Sequence, residues 1–172
     1  MCGIFGVTHA GWKDGPWEAA VESIAHRGPD GHGSHVDDTV FLGHRRLSII
    51  DLETGGQPIY NEDRTMCIVC NGEIYNFQEL RHELAARGHV FSTRSDTETV
   101  LHAYEEWGEA CVERLRGMFA FAVWDIRKRE LFIARDRFGI KPLFYGQHKG
   151  RFYFASEIKA ILADPGYPRD MD

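Results

Sequence analysis

The sequence predicts an α+β fold in which two β-sheets stack face to face and helices cover their outer surfaces. About seven segments have the apolar or aromatic character of strands, whereas about three segments have clear helical periodicity. The segment at 119–124 is apolar on both alternating faces, which indicates a sheet that is covered on both sides. Because so few helices cannot cover so many strands, a sheet packed on a sheet accounts best for these elements.

The chain begins with Met1 and Cys2, followed by a short apolar strand at 3–8. Taken alone, such a start more often marks a small buried residue at the beginning of a strand. If Met1 is removed, however, Cys2 carries a thiol and a free α-amine. A terminal amine has a pKa near 8, so about a tenth of it is free base at neutral pH and can accept the thiol proton. The rest of the chain decides whether Cys2 is a nucleophile with its own base.

The next segments alternate between turns and regular structure. An amphipathic helix is predicted at 16–25, with Gly15 as its N-cap. The glycine-rich stretch at 26–33 indicates a surface loop. Its histidines have no cysteine or carboxylate at ligand spacing, so no metal site is predicted. Short apolar segments at 40–42 and 47–50 predict strands.

A buried strand is predicted around the C-x-x-C sequence of Cys67 and Cys70. Side chains alternate along a strand, so an offset of three sends the two thiols to opposite faces. No second pair of cysteines follows. The two residues are therefore predicted to be buried structural thiols rather than zinc ligands or a redox pair.

Asn71 and Gly72 follow this strand. The dipeptide alone is typical of a hairpin turn. The residues after it predict a helix instead, with Asn76 as its N-cap and Glu79 completing a capping box. Asn71 and Gly72 are therefore expected between a strand and a helix, where they can face a cleft.

A second helix is predicted from Ser95, with Glu98 completing its capping box and Asp96 complementing the helix dipole. The remaining predicted elements are a hairpin of strands at 119–124 and 131–134, a strand near 152–154, a short helix at 156–162 and a linker from 164 to 172.

Composition limits the class of protein. The chain has 172 residues, of which 43% are hydrophobic and 27% charged, as expected for one globular domain. Its net charge is −6 and its basic residues are scattered, so binding to nucleic acid is not expected. It has no apolar run of about 20 residues and no basic signal region. No membrane association is therefore expected, and the expected location is the cytoplasm.

Seven short motifs together resemble one family. They are MCGIFG at 1–6, HRGPDG at 26–31, RLSIID at 46–51, NGEIYN at 71–76, SDTE at 95–98, GMFAFA at 117–122 and RDRFGIKPL at 135–143. In this order they resemble the class II glutamine amidotransferases, which are N-terminal-nucleophile hydrolase domains, and above all the glutaminase domain of glutamine-dependent asparagine synthetase. The resemblance implies a four-layer αββα sandwich with two mainly antiparallel sheets.

The resemblance also implies a reaction, the hydrolysis of L-glutamine to glutamate and ammonia. Met1 is removed, and Cys2 attacks the side-chain amide to form a γ-glutamyl thioester. Asn71 and Gly72 match the family's oxyanion hole, in which one donor typically contributes on the order of 3 kcal/mol.

Five further residues match the substrate pocket of the family. Arg46 corresponds to the residue that holds the α-carboxylate, a role that suits a planar guanidinium. The backbone around Ile49 and Ile50 lines the same pocket. Glu73 and Asp96 correspond to the groups near the α-ammonium.

The resemblance implies a domain division as well. Residues 1–163 correspond to the glutaminase domain, and 164–172 to the start of a linker to a synthetase domain. A glycine-rich stretch at 54–57 lacks the serine and aspartate of that domain's pyrophosphate loop. ATP and Mg²⁺ are therefore expected only in the synthetase domain, and the glutaminase domain is expected to need no cofactor.

The expected partners are L-glutamine and a synthetase domain, either in the same chain or in a partner subunit. A homodimer is compatible with the sequence. The alternatives are a different amidotransferase branch, an N-terminal peptidase, and a non-catalytic regulatory domain with a relict pocket. The sequence HRRLS at 44–48 differs from the Thr-Arg-Trp-Ala-Thr and Val-Arg-Tyr-Ser-Thr patterns of other branches. This difference favours asparagine synthetase.

Overall fold

The computed structural model describes residues 1–8 and 15–169, which form a four-layer αββα sandwich. Its strands are β1 (Gly3–Thr8), β2 (Gly31–Val36), β3 (Val40–Arg46), β4 (Ile59–Tyr60), β5 (Met66–Ile74), β6 (Gly117–Asp125), β7 (Glu130–Arg135), β8 (Phe144–His148) and β9 (Arg151–Ala155). Its helices are α1 (Trp17–Ser23), α2 (Phe77–Ala86), α3 (Asp96–Trp107), α4 (Cys111–Arg114) and α5 (Ile158–Ile161). The predicted fold class is confirmed.

The two sheets have the strand orders β2-β3-β1-β9-β8 and β4-β5-β6-β7. Neighbouring strands in both sheets are antiparallel. Helices α1 and α5 pack on the outer face of the first sheet, and α2 and α3 pack on the outer face of the second. A third apolar cluster fills the space between the sheets. Strand β1, which carries Cys2 at its start, is therefore central in its sheet.

Strand β6 shows why the sandwich forms. Phe121 and Val123 face the helices, whereas Ala122 and Trp124 face the other sheet, and all four are buried. A strand that is apolar on both faces needs cover on both. The prediction from residues 119–124 is confirmed.

The two cysteines of the C-x-x-C sequence lie on opposite faces of β5. Cys67 belongs to the cluster between the sheets and Cys70 to the cluster under the helices. Burial raises the pKa of the Cys67 thiol to about 12 and that of Cys70 well above its usual value. Both therefore stay protonated and are structural, as predicted.

Two edge strands of the five-stranded sheet were not predicted from the sequence. Residues 31–33 were expected in a loop but begin β2, which pairs with β3 from Gly31 opposite Arg46 to Val36 opposite Phe41. Strand β8 was also not predicted. Both are edge strands whose side chains are largely exposed, so they lack the apolar pattern that identifies a strand.

Residues 47–50 were expected to form a strand, and this prediction is wrong. The Leu47 N–H donates to Cys2 Sγ, and the Ser48 N–H donates to Asp30 Oδ2 at 2.8 Å. These backbone N–H groups thus donate to side chains instead of to a neighbouring strand.

The predicted helix ends are only partly correct. Helix α1 has Pro16 rather than Gly15 at its N-cap position and is shorter than predicted. The Asn76 side chain makes no capping bond; its Oδ1 accepts from the Arg116 N–H at 2.9 Å. Ser95 does cap α3, since its Oγ accepts from the Thr97 N–H at 3.2 Å. No reciprocal bond from the Ser95 N–H to Glu98 forms, because that N–H donates to Thr93 Oγ1 at 3.1 Å.

The first residues of the predicted linker pack against the sandwich. Asp164 is buried and accepts a hydrogen bond from the Tyr153 hydroxyl at 2.6 Å, and the Tyr167 ring packs edge-on against Tyr153. Contacts with the domain extend to Arg169, whose Nη2 donates to the Leu162 carbonyl at 3.1 Å, and residues 170–172 lie outside the described residues. In the described part of the chain, no helix combines the length and apolar character needed to span a bilayer.

Candidate active site

A cavity of about 320 Å³ lies at the start of β1, between the ends of β3 and β5 and the first turn of α3. The predicted site residues come from four separate segments of the chain, and all of them line this cavity. They are Cys2, Arg46, Ile49, Ile50, Asn71, Gly72, Glu73 and Asp96. The fold thus brings together every residue that the sequence singled out for the site.

Cys2 is held by backbone contacts. The Leu47 N–H lies 3.4 Å from Cys2 Sγ, and the thiol donates to the Leu47 carbonyl at 3.6 Å. The Cys2 carbonyl accepts from Arg27 Nε at 2.9 Å. Two residues on, Ile4 exchanges hydrogen bonds with Ser156 at 3.0 and 2.9 Å. These contacts fix the position of the sulfur at the edge of the cavity.

Glu157 anchors the arginine that holds Cys2. Its carboxylate accepts from Arg27 Nη1 at 3.0 Å, contacts His26 Nε2 at 2.9 Å and pairs with Lys159 at 3.1 Å. Burial alone would raise the pKa of Glu157, but these hydrogen bonds lower it to about 2. The carboxylate therefore remains ionised at physiological pH.

Replacing Glu157 with glutamine is expected to destabilise the domain at pH 7. A carboxylate with a folded pKa of about 2 and an ordinary value of 4.5 stabilises the folded state above pH 4.5. That contribution decreases as the pH falls towards 2. Urea unfolding of wild type and Glu157→Gln should therefore give a difference in stability that shrinks between pH 7 and pH 3. Glu53→Gln, at an exposed position, serves as control, and a pH-independent difference for Glu157→Gln would contradict this account.

Arg46 ends β3 and is oriented by the loop that follows. Its guanidinium donates to the carbonyls of Ile50 at 3.4 Å, Asp51, and Leu52 at 3.3 Å. A Cβ at Gly55 would lie 2.9 Å from the Asp51 carbonyl oxygen and 2.8 Å from Arg46 Nη2, so the close approach of the backbone here requires glycine. Residues 47–50 thus belong to a loop that curves around the Arg46 guanidinium, and they do not form a strand.

The peptide before Asn71 is held by two side chains. Strand β4 begins at Ile59 and pairs with β5 only at Ile68 and Cys67, so it does not reach Cys70. Gln57 Oε1 accepts from the Cys70 N–H at 2.6 Å, and His44 Nε2 lies 3.2 Å from the Cys70 carbonyl. Burial lowers the pKa of His44 to about 3, so the neutral imidazole donates to that carbonyl from Nε2.

Asn71 is the most unusual polar residue of the cavity. The residue is 1% exposed, yet its Nδ2 has no hydrogen-bond partner among the described residues. A buried amide without a partner costs about 1–3 kcal/mol. Such a group is expected where a ligand atom accepts the hydrogen bond.

Asn71 and Gly72 were expected between a strand and a helix, but they lie within β5, where they pair with Ala120 and Phe119 of β6. Gly72 lies where these two strands approach closely. A Cβ at this position would lie 2.6 Å from the Met118 carbonyl and 2.8 Å from Phe119 Cα. Only glycine therefore fits between the strands here. It lines the cavity next to Asn71, as the oxyanion-hole hypothesis requires.

Two carboxylates, those of Glu73 and Asp96, also line the cavity. Asp96 is the first residue of α3, is 5% exposed and accepts from the Ile74 N–H at 2.9 Å. Burial raises the pKa of Asp96, the Ile74 hydrogen bond opposes this, and the negative charge of Glu73 raises it further. A cation bound beside the pair would relieve this repulsion.

Sequence reasoning missed several residues of the cavity. Gln57 also donates from Nε2 to Thr97 Oγ1 at 3.3 Å, so it connects β5 to the start of α3. Lys141 is buried and lines the cavity, positioned by Asp136, which accepts from its N–H at 3.0 Å. Lys141 lies in a motif that the sequence did identify, whereas no local signal marks Gln57.

The chain matches the model of the glutamine amidotransferase domain over residues 1–172. It is 45% identical over 184 aligned residues to asparagine synthetase [glutamine-hydrolyzing] 3 of Bacillus subtilis (strain 168), covering 100% of this chain and 29% of that protein. It is 48% identical to asparagine synthetase [glutamine-hydrolyzing] 1 of the same organism, covering 94% and 27%. An asparagine synthetase [glutamine-hydrolyzing] of Zea mays is 46% identical, covering 82% and 24%. The chain thus spans less than a third of these relatives.

Two solved structures share the fold. One is the glutamine phosphoribosylpyrophosphate amidotransferase from B. subtilis complexed with ADP and GMP, with a TM-score of 0.76, and the other is an allosteric regulatory enzyme of purine biosynthesis, with a TM-score of 0.79. Each is 22% identical, and each match covers 94% of this chain and 43% of the other. The family match and these relatives identify the chain as a member of the glutamine amidotransferase domain family.

Proposed function

We propose that this chain hydrolyses L-glutamine to L-glutamate and ammonia through a γ-glutamyl thioester on Cys2. The observation that carries the proposal is the cavity itself. A partly exposed thiol, an unpartnered buried amide, a guanidinium and two carboxylates line one space of about 320 Å³. The buried amide matches the side-chain carbonyl of a free glutamine, the guanidinium matches its α-carboxylate, and the two carboxylates match its α-ammonium.

The proposed reaction begins once removal of Met1 has freed the α-amine of Cys2. The amine takes the thiol proton, and the thiolate attacks Cδ of the glutamine side chain. Asn71 Nδ2 and the Gly72 N–H stabilise the resulting oxyanion. The proton returns to the leaving nitrogen, ammonia departs and the thioester remains. The amine then takes a proton from water, which attacks the thioester and releases glutamate and the thiol.

Recognition of the amino acid is assigned to the opposite ends of the cavity. Arg46 binds the α-carboxylate with its planar fork, and the backbone at Ile49 and Ile50 closes that end. Glu73 and Asp96 bind the α-ammonium. A peptide-bound glutamine lacks at least one of these charges, so the arrangement favours the free amino acid.

The ammonia is proposed to serve an ATP-dependent synthetase domain of the asparagine synthetase type. The relatives at 45–48% identity that support this are named glutamine-hydrolysing asparagine synthetases. In this proposal residues 1–163 form the glutaminase domain, and ATP and Mg²⁺ bind only in the synthetase domain. Assays of the domain therefore need glutamine alone.

Replacing Asp96 with asparagine is expected to raise the KM for glutamine by about 10- to 100-fold while kcat changes little. The charge that binds the ammonium is lost, as for other charge-assisted hydrogen bonds. Asparagine Oδ1 can still accept from the Ile74 N–H, so the local fold is retained. Steady-state measurement of glutamate formation tests this. An unaltered KM would show that Asp96 only organises the start of α3.

A further inference from the structure

A second cluster of ionisable side chains lies outside the cavity, around the middle of α3. It combines one residue after β4, one from the connection between α2 and α3, and two from α3 itself. These residues are Glu62, His89, His102 and Glu105, and one nitrogen or oxygen of each lies within 4.8 Å of the other three. We refer to these four residues as the His-Glu cluster.

The distances within the His-Glu cluster suit a tetrahedral metal ion. Glu105 Oε2 lies 3.2 Å from His102 Nδ1 and 3.5 Å from His89 Nδ1. Glu62 Oε2 lies 3.9 Å from His102 Nδ1. Ligands about 2.1 Å from a tetrahedral zinc ion are about 3.4 Å apart. Because the four ligand atoms lie within 4.8 Å of one another, an ion at the centre requires the more distant of them to move inward by up to about an ångström.

Both carboxylates of the cluster are oriented by a hydrogen bond to their other oxygen. Glu62 Oε1 accepts from the Val90 N–H at 2.6 Å, and Glu105 Oε1 accepts from Asn61 Nδ2 at 3.0 Å. Each bond leaves Oε2 directed at the histidines. Such outer partners are typical of protein metal sites.

Both histidines have a carboxylate beside the ring nitrogen that faces away from the cluster. His89 Nε2 lies 3.2 Å from Glu106 Oε2, whereas His102 Nε2 lies 3.9 Å from Glu98 Oε1 and has no hydrogen-bond partner among the described residues. The Glu106 carboxylate fixes the His89 tautomer in which Nδ1 is free to bind metal. His102 is fully buried, and the Phe91 ring packs edge-on against it with centroids 4.6 Å apart.

We propose that the His-Glu cluster is a structural Zn²⁺ site with two imidazole and two carboxylate ligands. Four protein ligands complete a tetrahedron and leave no position for water, which is typical of structural rather than catalytic zinc. The ion offsets the negative charges of Glu62 and Glu105. The ion links the segment after β4 and the α2–α3 connection to α3. The first residue of this helix, Asp96, lines the active-site cavity.

No metal site was predicted from the sequence, because the four ligands are distant along the chain. Only His102 and Glu105 have a regular spacing, at i and i+3 on one face of α3. The fold supplies the other two ligands from elements that the sequence does not relate to α3.

The test is a zinc titration of the 172-residue chain in a Cys2→Ser background, which removes the one partly exposed thiol. After treatment with a chelator, the chain is expected to bind one Zn²⁺ with a Kd below about 1 μM. Its melting temperature is expected to rise with zinc. Co²⁺ in place of zinc is expected to give the visible absorption of a four-coordinate ion.

His89→Gln and Glu62→Gln are expected to weaken zinc binding by at least about 100-fold, and Glu106→Gln, which alters only an outer partner, by about 10-fold. Both ligand positions are partly exposed, so the variants are expected to fold. His82→Gln, at an exposed position on α2, is the matched control and should bind zinc as wild type does. Wild-type chain that takes up no zinc, or equal uptake by the His89 and Glu62 variants, would overturn the proposal and leave the cluster as a network of ion pairs.

Discussion

Cys2→Ala is expected to reduce the rate of glutamine hydrolysis by at least about 10⁴-fold while the Kd for glutamine changes by less than about threefold. The thiol forms the covalent intermediate, and Cys70, the other thiol that lines the cavity, stays protonated because burial raises its pKa. The guanidinium and the two carboxylates that bind the substrate are not altered. Ammonia release and isothermal titration with glutamine measure the two quantities separately.

Cys111→Ala is the matched control, because Cys111 is a buried thiol outside the cavity. Burial raises its pKa to about 12, so it has no nucleophilic role and the variant should keep its activity. Unchanged ammonia release by Cys2→Ala would refute the assignment of the nucleophile. Loss of both binding and activity would show that Cys2 mainly supports the shape of the cavity.

Asn71→Ala is expected to lower kcat by about 10²- to 10³-fold with little change in KM. The Asn71 Nδ2 donor is buried and without a partner among the described residues, so it can meet the oxyanion without breaking an existing bond. An interaction made in the transition state affects kcat, whereas one made equally with the substrate affects KM.

Asn76→Ala is the control for the loss of an asparagine. Its side chain bonds the backbone at Arg114 and Arg116 and does not line the cavity. This variant should change stability rather than kcat. A rise in KM at constant kcat for Asn71→Ala would contradict the oxyanion role and assign Asn71 to substrate binding.

The predicted site residues could be found from the sequence because each lies in a short motif with its own chemical character. Cys2 directly precedes β1, Arg46 ends β3, Asn71 lies in the second half of β5 and Asp96 begins α3. Segments that end beside one another in a stacked pair of sheets bring their terminal residues to one place. The sandwich itself could be predicted for a similar reason, since the burial pattern of β6 is local.

The supporting residues could not be found in this way. Gln57 accepts a hydrogen bond from the Cys70 N–H, and His44 donates one to the Cys70 carbonyl. These two backbone groups need side-chain partners because β4 does not extend as far as Cys70. The edge strand β2 forms because β3 offers it a partner along its full length, not because of its own apolar pattern. These contacts join residues far apart in the chain, and no spacing along the sequence encodes them.

The most direct test of the nucleophile is mass spectrometry of the folded chain after treatment with diazo-oxo-norleucine, an electrophilic analogue of glutamine. Burial raises the pKa of Cys67 and Cys111 to about 12 and that of Cys70 well above its usual value, so these thiols should not react. The expected product has lost Met1 and carries one adduct, on Cys2. A folded chain that keeps Met1, or whose Cys2 stays unlabelled, would contradict the account.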